Sequence, residues 1–101
     1  MSSESTARPA LRHVVFFTAK DPVDLPRIIA GLNILAGIPH ARHFEVRENT
    51  HADTLSGRVD VVVYAEFESA EDLAAYKAHP LYQDAIDAVR PLRDMRVAAD
   101  F

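Results

Sequence analysis

Two segments of this chain are apolar on both sides of a strand, and no other feature restricts its folding so tightly. In residues 59–67 (VDVVVYAEF) only Asp60 and Glu66 are charged, and the rest are mostly β-branched or aromatic. That is the composition of a strand covered on both faces. Residues 11–19 (LRHVVFFTA) alternate Leu11, His13, Val15 and Phe17 with Arg12, Val14, Phe16 and Thr18, so both of their faces are largely apolar as well. A sheet built on these two strands has to be covered twice.

The segments around them read as helices, strands and turns. Ser69-Ala70-Glu71-Asp72 offers a helix N-cap hydroxyl and a carboxylate three residues on. This is close to a capping box, with its acids at the positive end of the helix dipole. His79-Pro80 predicts the end of that helix, because proline disfavours α geometry in the residue before it. Pro80 in turn suits the first position of a second helix, where Tyr82, Ala85, Ile86 and Val89 share one face. Upstream, Asp21 or Asp24 can cap a helix over residues 25–35 with the stripe Leu25, Ile28, Ile29, Leu32 and Leu35. Gly37 fits as its C′ residue, and Pro39 bars continuation. Residues 41–48 alternate Phe44 and Val46 against His43, Glu45 and Arg47, a strand with one wetter face. Residues 49–57 form a polar loop. Residues 93–101 alternate Met95, Val97, Ala99 and Phe101 with Asp94, Arg96, Ala98 and Asp100, a closing strand.

The order is βαββαβ, a ferredoxin-like α+β fold with a four-stranded antiparallel sheet. Its helices cover one face only. The other face, carrying Val14, Phe16, Val62 and Tyr64, would be a large apolar patch in water. A homodimer joined sheet face to sheet face is the economical cover, with Tyr64 and Glu66 lining the interface. Hydrophobic residues make up 49% of the 101, ample for one domain over residues 10–101 after a polar arm, residues 1–9. Without cysteine there is no disulfide, thiolate nucleophile or zinc–thiolate site. No signal sequence or membrane-length run is present, so a cytoplasmic location is expected. A net charge of −4 with scattered basic residues argues against nucleic acid as a partner. Gly31, Gly37 and Gly57 make no phosphate-binding loop.

The segments LRHVVFF, LAGIPHARHFEV, VVVYAEFESAEDLAAYKAHP and VRPLRDMRVAADF resemble the stress-responsive A/B barrel (Dabb) family over residues 11–101. The resemblance implies a ferredoxin-like subunit that pairs as a dimeric α+β barrel. One plant branch of that family holds polyketide cyclases that close a ring by aldol condensation between sheet and helices. In that branch a histidine follows a basic residue in the first strand, as His13 follows Arg12, and a tyrosine lies three residues before a His-Pro pair, as Tyr76 precedes His79. Its decisive catalytic histidine, two residues after the proline, is Tyr82 here. A further histidine of its third strand is Val61 here.

Two functional readings follow. In one, the cleft between sheet and helices holds a small aromatic or polyketide-like ligand without turnover. In the other, the protein is a cofactor-free cyclase, lyase or monooxygenase-type enzyme acting on an enolisable substrate. There His13, Tyr76 and His79 are the candidate catalytic residues, because an imidazole and a phenol can serve as base and acid. Tyr76 and His79, three apart, share a helix face if the helix persists that far. Otherwise His79 is a helix-end cation and Tyr76 a core residue with a hydrogen-bonded hydroxyl. The predicted cavity wall is Val15, Phe17, Phe44, Val61, Val63 and Tyr82, with Arg96 at the mouth able to hold a carboxylate. Arg96 and Asp100 also share a strand face, where they can pair. No metal is expected, since His40 and His43 straddle a turn into a strand and lack a convergent third ligand.

Overall fold

Side-chain alternation sorts each strand into a buried and an open face, and the sheet follows from it. The computed structural model describes residues 9–101, so the expected arm, residues 1–9, lies outside the described residues except for Pro9. The elements run β1 (Leu11–Ala19), α1 (Leu25–Leu32), β2 (His43–Glu48), β3 (Val61–Phe67), α2 (Ala70–Ala78), α3 (Pro80–Val89) and β4 (Arg93–Asp100). The four strands form one sheet in the order β2-β3-β1-β4, every pair antiparallel. This is the ferredoxin-like arrangement expected from the βαββαβ pattern. No helix among the described residues is long and apolar enough to cross a membrane.

One sheet face buries His13, Val15 and Phe17 of β1 and Val61, Val63, Ala65 and Phe67 of β3. Ile28 and Leu32 from α1, Tyr76 from α2, and Ala85 and Val89 from α3 close the core over them. The opposite face has no cover among the described residues. Val14, Phe16, Val62 and Tyr64 are only half-buried there, while Val97 and Phe101 are 49% and 61% exposed. Polar groups border this apolar centre. Glu45 accepts hydrogen bonds from His43 at 2.8 Å and from Arg47 at 2.9 Å, and the Tyr64 hydroxyl donates to Glu66 at 2.8 Å.

Local signals act largely as the residue types require. The Ser69 hydroxyl accepts from the Asp72 N–H, capping α2. The first helix differs from expectation: it is α-helical only to Leu32 and tightens into a 3-10 turn over Asn33–Gly37. Gly37 therefore closes a 3-10 turn rather than serving as a left-handed cap, and among the described glycines only Gly57 has positive φ. The β1–β4 ladder contains a register shift between Phe17 and Ala19. There the buried Thr18 hydroxyl accepts from the Met95 N–H at 2.8 Å, in place of a backbone carbonyl. This irregularity fixes which β4 residues face the core beyond it.

Thr18→Val keeps the shape and deletes that acceptor. Leaving the Met95 N–H unpaired should cost about 1–3 kcal/mol, read as a lower urea midpoint at unchanged slope. Thr18→Ser, which retains the oxygen, should lose less.

Candidate functional site

A cavity of about 350 Å³ lies between the helix-covered sheet face and the helices, within the range of small-molecule sites. Its floor is His13, Val15 and Phe17 of β1 with Val63 of β3. Leu32 and Leu35 wall one side, Tyr76 comes from α2, and Tyr82, Ala85, Ile86 and Val89 come from α3. Lys77 from α2, Arg90 at the end of α3, and Arg93 and Arg96 of β4 complete the lining. Of the expected wall, Val15, Phe17, Val63, Tyr82 and Arg96 are in place. Phe44 and Val61 are not: the cavity opens toward β4, whereas β2 lies at the other edge of the sheet and Val61 is fully buried in the packed core.

His13 is the polar centre of this floor. Its ring is 2% exposed and sits edge-on to Phe67 and Tyr76, with centroids at 6.5 and 6.3 Å. Nδ1 lies 2.5 Å from a carboxylate oxygen of Asp100. A carboxylate only accepts, so the bond assigns the hydrogen to Nδ1 and leaves Nε2 of the neutral ring as an acceptor. Nε2 has no hydrogen-bond partner among the described residues. The His13 side chain is part of the cavity lining.

Asp100 was visible in the sequence only as a strand-face neighbour of Arg96, and the two do not pair. Four residues along a strand are about 13 Å, so Asp100 reaches His13, its register partner across β1, while Arg96 turns to Tyr82. The Arg96 guanidinium lies 3.5 Å from the Tyr82 hydroxyl. Lys77, Arg90 and Arg93 were likewise missed, because nothing local marks a basic residue as facing a cavity.

Tyr76 is 1% exposed, and its ring packs edge-on to Phe67 at 5.1 Å and Tyr82 at 5.5 Å. Its hydroxyl has no hydrogen-bond partner among the described residues, and the residue lines the cavity beside His13. Burial pushes the phenol well above its ordinary range, and the Tyr82 hydroxyl adds to the effect against a smaller opposing pull from Arg96. Tyr76 is thus held as a neutral hydrogen-bond donor.

His79 stands apart from this group. The helix does not persist to it: ahead of Pro80 its backbone is extended, φ −68° and ψ 141°, as a pre-proline residue prefers. Its Nδ1 accepts from the Leu81 N–H at 3.1 Å, capping α3, and its ring packs against His40 at 6.1 Å. It does not line the cavity. Among the described residues no three histidine or carboxylate side chains converge as a metal site would require.

Fold and cavity together define a ferredoxin-like α+β subunit with a partly enclosed chamber between one sheet face and its helices. The stress responsive A/B barrel domain family matches residues 11–101, and the chain belongs to it. A stress-response A/B barrel domain-containing protein of Arabidopsis thaliana is 31% identical over 105 residues. The match covers 100% of this chain but only 40% of that relative's length. A dimeric ferredoxin-like protein of unknown function from Thermobifida fusca is 26% identical, with a TM-score of 0.76 over 90% of this chain and 88% of its own. A Dabb family protein from Mesorhizobium loti, 21% identical, shares the fold with a TM-score of 0.78 over 93% and 96% of the two chains.

The raised Tyr76 phenol has a consequence for stability. It stabilises the fold fully below the unfolded-state value of about 10, and that stability is lost as pH rises toward the higher folded-state value. Tyr76→Phe should therefore lose less stability than the parent protein between pH 8 and 11, measured by urea denaturation at each pH.

Proposed function

We propose that the chain is the subunit of a cytoplasmic homodimer whose cavity binds a small aromatic or polyketide-like carbonyl compound and moves a proton on it without a cofactor. One observation carries this reading: the His13 ring, bonded to Asp100, and Tyr76, whose hydroxyl has no partner among the described residues, line one chamber with an apolar floor. In the reaction, His13 Nε2 takes a proton from the carbon beside the carbonyl. The C–H electron pair becomes the enolate double bond, and the carbonyl pair moves onto oxygen, where the Tyr76 O–H donates a hydrogen bond. Asp100 holds the ring in the required tautomer and stabilises the imidazolium. Return of the proton to carbon completes an isomerisation; alternatively the enolate carbon attacks a second carbonyl, whose C=O pair moves onto oxygen, and the imidazolium proton passes to that alkoxide to complete an aldol closure. His79 has no part in this scheme.

Self-association is supported by the open sheet face, an apolar centre within a polar border, as interfaces are commonly built, and by the dimeric Thermobifida fusca relative.

Butyrophenone in D₂O tests the chemistry. The protein should accelerate loss of the α-proton NMR signal, and His13→Gln should lower that rate about 10²–10⁴-fold, with Asp100→Asn and Tyr76→Phe also lowering it. An undiminished rate in His13→Gln would remove the base assignment. Binding without exchange in the parent protein would leave a ligand carrier. Separately, Phe16→Asp should convert a dimer into a monomer in light scattering, and a parent protein monomeric at micromolar concentration would contradict the dimer.

A further inference from the structure

We propose that the ligand of this cavity is an anion: an apolar body seated on Val15, Phe17 and Val63, bearing an oxyanion group held by Arg96, Arg93, Arg90 and Lys77. This rests on the reading of the chamber as a small-molecule site and adds the class of molecule it takes. The lining contains those four basic residues and no aspartate or glutamate, although the whole chain carries a net charge of −4.

Outside the cavity most described basic residues have a carboxylate partner, the exceptions being Arg12, which lies over the Phe101 ring, and Lys20. Arg27, Arg42, Arg47 and Arg58 each form an ion pair, with Asp24, Glu68, Glu45 and Asp94 respectively. None of the four cavity cations pairs with a carboxylate among the described residues. Arg93 donates only to a neighbouring backbone carbonyl, of Asp94, and Arg96 makes a long contact to the Tyr82 hydroxyl. Like charges gathered without counter-charges repel one another, so this arrangement is most favourable when an anion completes it. Guanidinium groups present paired N–H donors that match the oxygens of a carboxylate or a phosphate. With the oxyanion at this end, the apolar body extends inward along the floor toward His13 and Tyr76. The cations then fix which carbon is presented to Nε2.

Four matched compounds test this by calorimetry on the full chain: 4-oxo-4-phenylbutanoate, its methyl ester, the corresponding 3-oxo-3-phenylpropylphosphonate, and butyrophenone. The acid should bind at least tenfold more tightly than the ester, and its advantage should fall with added salt. Arg96→Gln and Arg90→Gln should each reduce acid affinity about tenfold or more and leave ester affinity unchanged. Arg27→Gln and Arg58→Gln, which remove the same charge elsewhere, should change neither. A tighter phosphonate assigns the anion to the phosphate class, a tighter acid to the carboxylic class. Equal affinity of acid and ester, no binding of the acid at millimolar concentration, or an acid preference that survives the Arg96 and Arg90 substitutions would overturn the proposal. Deuterium exchange keeps the two readings separate. Exchange of butyrophenone without an acid preference removes the anion and keeps the base; tight acid binding without exchange does the reverse.

Discussion

The pairing of β1 with β3 on one side and β4 on the other is the constraint from which the rest of the structure follows. A strand hydrogen-bonded along both edges projects alternate side chains to two separate environments. On β1 those environments receive His13, Val15 and Phe17 below and Val14 and Phe16 above. The helices of a chain this short can shield only one side. The buried side becomes core and cavity floor, and the open side is left as a surface suited to a second copy. Both architecture and site thus hang on one strand.

The cavity exists because the helical layer does not close evenly over the sheet. Toward β2 and the far part of β3 the apolar side chains meet and fill the space, as at Val61 and Phe67, both fully buried. Toward β4 the sheet edge carries Arg96, Ala98 and Asp100 on its inner face, residues too polar or too small to pack against α3. Space remains there, lined by groups that need water or a partner. A chamber with an oily floor and a charged end is the result, and His13 and Tyr76 sit where the two meet.

Most of the fold could be read from the sequence because it is written in local terms. Near-continuous apolar runs located β1 and β3, the Ser69 hydroxyl marked the start of α2, and the proline rule placed the break at His79. The same rule removed His79 from the site: a residue forced to extended geometry cannot stay on the face of the helix it ends. The spacing of three between Tyr76 and His79 was real, but the helix it assumed was not. Asp100 shows the other limit. Its partnership with His13 joins residues at opposite ends of the chain, and alternation within each strand says nothing about how the two are aligned. The sequence likewise could not show that the Tyr76 hydroxyl has no partner among the described residues, since that depends on what fails to reach it.

The irregularity at Thr18 has a reach well beyond its own hydrogen bond. Side chains along a strand alternate strictly, so sliding β4 by a single position would turn every one of its residues over. Ala99 or Phe101 would then stand where Asp100 meets His13, and Arg96 would move to the outer surface. An insertion or deletion at this kink, about 17 Å along the strand from His13, would leave a well-formed sheet and an intact histidine with no carboxylate beside it. A lone imidazole in an otherwise intact sheet is the signature such a frame error would leave.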